Sequence, residues 1–320
     1  MKRKIIFDTD LGGDIDDGGA LAIIHQAVNK GCAELLACTS STTNPYSVPA
    51  IDAINEYYGH KVEVGTTKLV PEGETINRKE YLKNCDTWYG KYVNDNYHHT
   101  YTKDNARDAI KVLREVLSNN ISSNINDRVT IIVVGTIINI EGLLKSKGDE
   151  YSPLNGIDLV KNSVKEFSLM GCYFPSEELP DVWFGDYHME AENNIVQDIR
   201  SAKYTFENSP VPIVVSHYTV GMKTITGELI SKEDDSNPVS ASYKKYFNGL
   251  RQSWDPISAY YAIYGLSNVL TLSKPLTISI DDRGISTYKE NKSGTHYLLY
   301  AKSYEELKNE LNKKMVKSIF

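Results

Sequence analysis

The 320-residue sequence has little cysteine, no long apolar run and no excess of positive charge. Its four cysteines show no Cys-x-x-Cys spacing of a redox or zinc motif, and we expect them to be reduced. No stretch reaches the roughly 18 apolar residues of a membrane-spanning helix, and no signal-peptide pattern follows the basic start, so we expect a cytoplasmic protein. Lysine and arginine total 35 against 42 acidic residues, and the net charge of −7 argues against a nucleic-acid binder.

Short apolar runs alternate with segments of helical periodicity along the first two thirds of the chain. The apolar runs predict strands at 4–7, 33–39, 62–65, 129–134, 167–170 and 211–215. The periodic segments predict helices at 17–29, 48–58, 105–117, 137–144 and 194–202. This alternation is typical of βαβ units, so the sequence predicts an α/β fold with a mostly parallel central sheet and helices on both faces.

Two parts of the chain depart from this alternation. Residues 66–102 are polar, aromatic and weakly periodic, and a loop of that length predicts a flap or lid. From about residue 238 the pattern predicts a helical and hairpin extension: a helix over 239–264 with a break near 253–256, a hairpin over 285–300 turning at 291–294, and a helix over 304–316. Because neither a repeat nor a linker is found, we predict a single domain over residues 1–320.

Five carboxylates fall within ten residues directly after the first predicted strand, in the segment Asp8-Thr9-Asp10-Leu11-Gly12-Gly13-Asp14-Ile15-Asp16-Asp17. In parallel α/β sheets, ligands bind at the carboxyl ends of the strands. A helix N-cap accounts for one or two acids but not for five, and crowded carboxylates repel one another unless a cation neutralises them. Because oxygen donors without histidine or cysteine favour Ca²⁺ or Mg²⁺ over Zn²⁺, the segment predicts a site for one of these cations.

The order Asp8-x-Asp10-x-Gly12, followed by Asp16-Asp17, resembles the Asp-x-Asp-x-Gly-x-Asp-Asp signature of the inosine-uridine-preferring nucleoside hydrolases, lengthened by two residues. Five further segments resemble that family in the same order: 35–44, 134–139, 169–171, 185–194 and 254–256. The resemblance covers residues 4–265. It implies a nucleoside hydrolase-like fold and an N-ribohydrolase, which splits the N-glycosidic bond of a ribonucleoside into ribose and base.

The resemblance also implies the roles of individual residues. One Ca²⁺ would hold the attacking water and the ribose diol, and Asp10 would be both a ligand of the ion and the base for the water. Asp17, the carbonyl of Val134 and Asp255 would be the other protein ligands. The substrate would further contact five polar side chains: Asp16, Asn44, Asp186, Glu192 and Asn194. The carboxylate of Asp186 replaces an asparagine of the family and would disfavour a 5′-phosphate, which favours nucleosides over nucleotides.

Two aromatic residues depart from the family pattern near the leaving base. Trp254 stands where the family has a histidine that protonates the base, and an indole can stack on a base but supplies no proton. Tyr89 stands where a second histidine often lies in the flap, so it is our predicted proton donor.

Three interpretations therefore remain open. The first is an N-ribohydrolase of a ribonucleoside or related ribosyl compound, and the second is a ribosyl transferase on the same scaffold. The third is a calcium-dependent nucleoside- or sugar-binding protein with impaired catalysis. The resemblance further implies a homodimer or homotetramer, and the role of the extra Asp14 remains open.

Overall fold

The computed structural model describes residues 2–69, 82–175, 182–184, 187–189 and 191–317, with the backbone alone for 182–184 and 187–189. The strands of these residues are β1 (Arg3–Thr9), β2 (Ala33–Ser40), β3 (Val64–Thr66), β4 (Arg107–Asp108), β5 (Val129–Val133), β6 (Val164–Met170), β7 (Val182–Phe184), β8 (Tyr187–Met189), β9 (Ile213–Ser216), β10 (Ile225–Thr226), β11 (Arg251–Gln252), β12 (Leu270–Leu272), β13 (Leu276–Ile280), β14 (Ser286–Glu290) and β15 (His296–Ala301). The helices are α1 (Asp16–Asn29), α2 (Ser47–Tyr57), α3 (Tyr89–Asn96), α4 (Ala109–Ser118), α5 (Ile138–Lys145), α6 (Gly156–Ser163), α7 (Asn193–Val196), α8 (Ile199–Asn208), α9 (Tyr218–Met222), α10 (Pro238–Phe247), α11 (Trp254–Tyr264) and α12 (Tyr304–Met315).

Eleven strands form the main sheet, in the order β14-β13-β15-β9-β6-β5-β1-β2-β3-β4, with β12 paired to β15. The eight strands from β15 to β4 are all parallel to their neighbours, whereas β12 and β13 run antiparallel to β15. A mostly parallel sheet with helices around it confirms the predicted α/β fold class. Helix α1 and strands β1, β2, β5 and β6 fall where the sequence pattern predicts them, with ends shifted by a few residues.

The order in which the strands follow one another across the sheet reverses between the neighbouring parallel strands β1 and β5. From β1 the chain continues to β2, β3 and β4 on one side, and then returns to β5 on the other side of β1. Both strands are buried because the sheet is covered on both faces, which agrees with the β-branched and apolar content of β5. Such a switch point opens a crevice at the carboxyl ends of the two strands, and the acidic segment follows β1 directly.

Two buried helices direct further acids into this crevice. Helix α1 is buried from Asp16 to Ala27, and α11 is buried from Trp254 to Ile263. The two helices pack against each other, since each is apolar on nearly every side. Asp16 and Asp17 lie in the first turn of α1, and Asp255 lies in the first turn of α11. Residues that are far apart in the sequence therefore meet at one end of the helix pair.

The C-terminal part differs from the sequence prediction in its strand pairing. Strands β14 and β15 exist, but they do not form the predicted hairpin, because β13 lies between them and pairs with both. Strand β15 instead lies parallel to β9, where His296 and Leu298 are buried. The predicted break near 253–256 falls earlier, between α10 and α11, and Pro256 is accommodated in the first turn of α11.

Two other predicted elements also have different boundaries. The helix predicted over 194–202 is divided into α7 and α8, because Asp198 caps α8 by accepting a hydrogen bond from the Ser201 amide at 3.2 Å. The predicted flap, 66–102, is described over 66–69, which include the last residue of β3, and over 82–102, which contain helix α3; residues 70–81 lie outside the described part of the chain. None of the helices in the described ranges combines the length and the apolar character that a membrane span requires.

Candidate active site

Three buried carboxylates form the centre of the crevice. Asp16, Asp17 and Asp255 each offer a carboxylate oxygen, and these atoms lie within 4.8 Å of one another. Burial raises the pKa of all three, and the negative charges of neighbouring aspartates raise it further. Two like charges about 4 Å apart repel by about 4 kcal/mol at an effective dielectric constant of 20, so three ionised groups need a counter-charge. The donor set fits a hard divalent cation, which prefers oxygen ligands.

Asp10 lies beside these three carboxylates, at the end of the first strand. Its side chain is half-buried, and its negative charge contributes to the raised pKa of Asp17 and Asp255. The resemblance assigns Asp10 to the ion and Asp16 to the ribose. In the structure Asp16 lies in the close cluster with Asp17 and Asp255, and its carboxylate accepts a hydrogen bond from the Asp255 amide at 3.0 Å.

Asp8 is held below the crevice by a network that the sequence did not reveal. Its Oδ1 accepts hydrogen bonds from Thr39 Oγ1 at 2.5 Å and from Asn139 Nδ2 at 2.7 Å. Burial raises the pKa of Asp8 to about 7 although both hydrogen bonds oppose this. Gly135 allows the loop after β5 to approach this region, since a Cβ there would lie 2.5 Å from the Asp10 amide nitrogen. Asp8 therefore joins the end of β1 to β2 and to the first turn of α5.

The predicted ribose-binding residues line the strand ends next to the cluster. Asn194 donates a hydrogen bond to the Val134 carbonyl at 3.0 Å, so the amide and the predicted carbonyl ligand are in contact. Glu192 caps α7 by accepting from the Asn194 amide at 2.9 Å, and burial raises its pKa to about 7. Asn44 accepts a hydrogen bond from the Tyr46 amide at 3.0 Å, while its buried Nδ2 has no partner among the described residues. Asp186 lies outside the described residues.

Tyr89 closes the crevice from the flap side. It is the first residue of α3, it is completely buried, and its hydroxyl has no hydrogen-bond partner in the described part of the chain. Burial raises the pKa of Tyr89, and the negative charges of Asp17, Asp14, Asp16 and Asp255 add to this effect. The phenol therefore keeps its proton at neutral pH, next to the carboxylates.

Helix α3 contacts the acidic loop through two glycines. The Gly90 amide donates to the Gly12 carbonyl at 3.0 Å, and a Cβ on Gly90 would lie only 2.8 Å from the Gly12 Cα. Gly12 itself has φ of +144°, a conformation that side chains rarely adopt. Tyr46 adds a hydrogen bond from its hydroxyl to Asp86 at 2.5 Å, so the described flap residues lie against the crevice.

Trp254 is placed at the start of α11, next to Asp255, and is only 6% exposed. Its indole nitrogen donates to the Tyr218 carbonyl at 2.9 Å, and the two rings stack with centroids 5.5 Å apart. The guanidinium of Arg251 lies 5.1 Å from the indole ring centre. The indole N–H is thus already used within the protein.

The extra Asp14 is paired with Arg251, a residue that no sequence motif singles out. Arg251 Nε donates to the two carboxylate oxygens of Asp14 at 2.8 and 3.0 Å, and Nη2 makes a further short hydrogen bond. The partners are separated by 237 positions, so only the fold brings them together.

The chain is similar to known proteins over nearly its whole length. A family model described as inosine-uridine preferring nucleoside hydrolase matches residues 5–313. No curated protein sequence gives a match. Among solved structures, the inosine-uridine preferring nucleoside hydrolase from Bacillus anthracis has a TM-score of 0.70 at 15% identity, covering 99% of this chain and 100% of that one.

Two further solved structures have the same fold. An inosine-guanosine nucleoside hydrolase has a TM-score of 0.70 at 15% identity, with 99% of this chain and 100% of that chain covered. The type III effector protein XopQ, solved with adenosine diphosphate ribose, has a TM-score of 0.66 at 13% identity, with coverage of 98% and 92%. At these identities the likeness to solved structures shows the fold alone.

Proposed function

Since the chain belongs to the inosine-uridine preferring nucleoside hydrolase family, and is therefore a hydrolase acting on N-glycosyl compounds, we propose that it is a calcium-dependent N-ribohydrolase of ribonucleosides or related ribosyl compounds. The observation that carries this proposal is the buried triplet of Asp16, Asp17 and Asp255 at the switch point of the sheet. A site of this kind suits a substrate that develops positive charge.

Calcium is the proposed ion because the available donors are all oxygen atoms. Asp10, Asp17, Asp255 and the Val134 carbonyl would hold it, and Asp16 is close enough to contribute. A bound Ca²⁺ would orient a water molecule and the ribose diol, and would lower the pKa of the water only in part. The remaining chemistry is therefore left to the side chains of this chain.

Asp10 is the proposed general base. As the C1′–N bond breaks, its electron pair leaves with the base, and the water oxygen bonds to C1′ while its proton passes to Asp10. Cleavage of this type passes through an oxocarbenium-like state. The surrounding carboxylates stabilise that positive charge because they are buried and fixed in position. Asn44, Asn194 and Glu192 are the proposed contacts of the ribose, and Asp186 is a further one.

Tyr89 is the proposed donor to the leaving base. Its raised pKa keeps the phenol protonated, so that the hydroxyl can donate a hydrogen bond to the departing base, and the occupied N–H of Trp254 supports a packing role for that residue. We expect Tyr89→Phe to lower kcat/KM for inosine about 100-fold, the lower end of an acid–base contribution, and to change cleavage of p-nitrophenyl riboside by less than threefold. Tyr92→Phe, on the same helix, is the matched control. An equal loss for both substrates would contradict the donor role.

A nucleoside panel tests the proposed activity directly. Purified protein with calcium is incubated with inosine, uridine, guanosine, adenosine and cytidine, and reducing sugar is measured. Free ribose is expected from at least one of them, and a chelator should abolish its release. Base release without free ribose, in the presence of an alcohol or amine acceptor, would favour a ribosyl transferase instead.

The relative solved with adenosine diphosphate ribose favours a second candidate, a calcium-dependent binding protein for ribosyl compounds. Calorimetric titration with adenosine diphosphate ribose tests it. Micromolar binding without release of any product would support binding over hydrolysis. We further propose that the chain is one domain that acts in the cytoplasm as a homodimer or homotetramer. Light scattering at micromolar concentration measures the mass of the assembly and so tests its oligomeric state.

A further inference from the structure

The extra carboxylate of the lengthened acidic loop has a specific partner across the crevice. Arg251 binds Asp14 through Nε and Nη2 at once, which fixes both the distance and the orientation of the two groups. The side chains of Arg251 and Asp14 are only 22% and 29% exposed. The pair is thus more enclosed than a surface ion pair, which typically contributes little.

The guanidinium of Arg251 is also confined by aromatic rings. It lies 5.1 Å from the ring centre of Trp254 and 5.5 Å from that of Phe247, and Nη1 donates to Gln252 Oε1 at 3.3 Å. Cation–π contacts of this kind attract the guanidinium to the faces of the two rings. An arginine that is held in this way can fix the position of one segment relative to the other segment that it joins.

The two joined segments both carry carboxylates of the cluster. Asp14 stands two residues before Asp16 in the acidic loop, whereas Arg251 stands in β11, four residues before Asp255. Strand β11 is itself a two-residue strand paired only with β10, within the described residues. The Asp255 amide also donates to Asp16, so a second hydrogen bond joins the same two segments. The pair of Asp14 and Arg251 is therefore a side-chain link between two segments that each carry a carboxylate of the cluster, in addition to the packing of α11 on α1.

We propose that Asp14 and Arg251 are positioning residues that clamp the segment bearing Asp255 onto the acidic loop, so that Asp16, Asp17 and Asp255 are assembled before a cation binds. The inference rests on the proposed function for the identity of the ion. A preassembled site binds more tightly because less ordering is required at the moment of binding. The two-residue lengthening of the loop thus supplies the anchor for this clamp.

A double variant that leaves the net charge unchanged separates the effect of losing the clamp from the effect of changing the charge near the ion. Arg251→Gln alone removes a positive charge near a cation site, which by itself would strengthen calcium binding. Asp14→Asn together with Arg251→Gln removes one charge of each sign, so that only the tether is lost. We titrate CaCl₂ into chelator-treated protein by calorimetry and expect the double variant to bind at least about tenfold more weakly than the wild type. Arg251→Lys keeps the charge but not the two-pronged geometry of the guanidinium, so its calcium affinity should lie between that of the wild type and that of the double variant.

The matched control is the pair of Arg107 and Glu115 at the far edge of the sheet. Arg107 Nη2 donates to Glu115 Oε2 at 2.6 Å, and the guanidinium lies 5.6 Å from the ring centre of Tyr151, so the interactions are of the same kind. Arg107→Gln with Glu115→Gln should leave the calcium dissociation constant within twofold. Far-UV circular dichroism and thermal unfolding in chelator show whether each variant folds. If the double variant does not fold, the calcium affinity of Arg251→Lys is compared with that of the wild type instead.

The outcomes are distinguishable. Calcium binding by the double variant equal to that of the wild type overturns the clamp while leaving the proposed function intact. Tighter binding by Arg251→Gln, with an unchanged double variant, shows that the pair only balances charge, and it also overturns the clamp. A wild type that binds no calcium contradicts the proposed ion site, and the clamp fails with it.

Discussion

At the scale of single residues, Asp10 carries the most specific prediction. Its carboxylate is half-buried at the end of β1, and its charge acts on Asp17 and Asp255, so it is well placed to serve both an ion and a water molecule. Asp10→Asn keeps an oxygen ligand and nearly the same shape but cannot accept a proton. We expect substrate binding to persist while kcat falls at least about 100-fold.

Steady-state kinetics and equilibrium dialysis with the substrate measure these two effects separately. Asp104→Asn changes an exposed aspartate on another loop and serves as the control. If Asp10→Asn retains kcat within threefold of the wild type, the base must be another group.

The sequence singles out the three acids of the cluster as site residues, but not their grouping or their supporting contacts. The resemblance implies Asp17 and Asp255 as ion ligands and Asp16 as a ribose contact, whereas in the structure oxygen atoms of all three lie within 4.8 Å of one another. The partner of Asp14 could not be predicted, because Arg251 lies 237 positions away and no local pattern links the two. Long-range pairs of this kind depend on the fold, so a short motif carries no signal for them.

At the scale of elements, the contact of α3 with the acidic loop predicts how the flap governs binding. Gly90→Ala would place a methyl group 2.8 Å from the Gly12 Cα. Because the neighbouring atom belongs to the backbone, the clash can be relieved only by a shift of one of the two backbone segments. The flap should separate from the loop, and Tyr89 should move away from the carboxylates. We expect KM to rise about tenfold with a smaller change in calcium affinity, measured by kinetics and calorimetry.

Asn96→Ala, at the exposed end of the same helix, serves as the control for helix stability. Equal KM values for Gly90→Ala and the wild type would show that this contact does not govern substrate binding.

Most elements of the parallel sheet could be predicted because their apolar runs are local. Strand β5, with five buried residues in a row, is the clearest example. The hairpin prediction was wrong because the turn signal at 291–294 says nothing about which strand lies alongside. The burial of Leu298 against β9 determines the place of β15, and β13 takes the position next to it. Pairing of distant strands is decided by burial in the assembled core.

At the scale of the whole molecule, the family extends further along the chain than the sequence motifs indicated. The motifs end near residue 265, whereas the family model matches to residue 313. The structure gives the physical reason, since β15 extends the parallel sheet beside β9 and α12 packs on the buried helix α1. These segments contribute buried surface rather than reacting groups, so their sequences carry periodicity but no chemical motif.

The buried carboxylates predict how calcium and pH act on the stability of the whole protein. Because burial raises the pKa of Asp16, Asp17 and Asp255, the ion-free folded state binds more protons than the unfolded state above about pH 4. Its free energy of unfolding should therefore fall as the pH rises through the range between the unfolded and the folded pKa values. Calcium requires the ionised carboxylates, so protons compete with it.

The increase in Tm on adding calcium should consequently be larger at pH 8 than at pH 5. At a free concentration of about 100 times Kd, binding to the folded state alone adds about 2.7 kcal/mol. This corresponds to a rise in Tm of roughly 4 °C for a chain of this size. Differential scanning calorimetry with calcium or with chelator measures both values, and Asp17→Asn should lose most of the response at either pH. An equal rise at pH 5 and pH 8, or an undiminished rise in Asp17→Asn, would mean that calcium binds elsewhere on the protein.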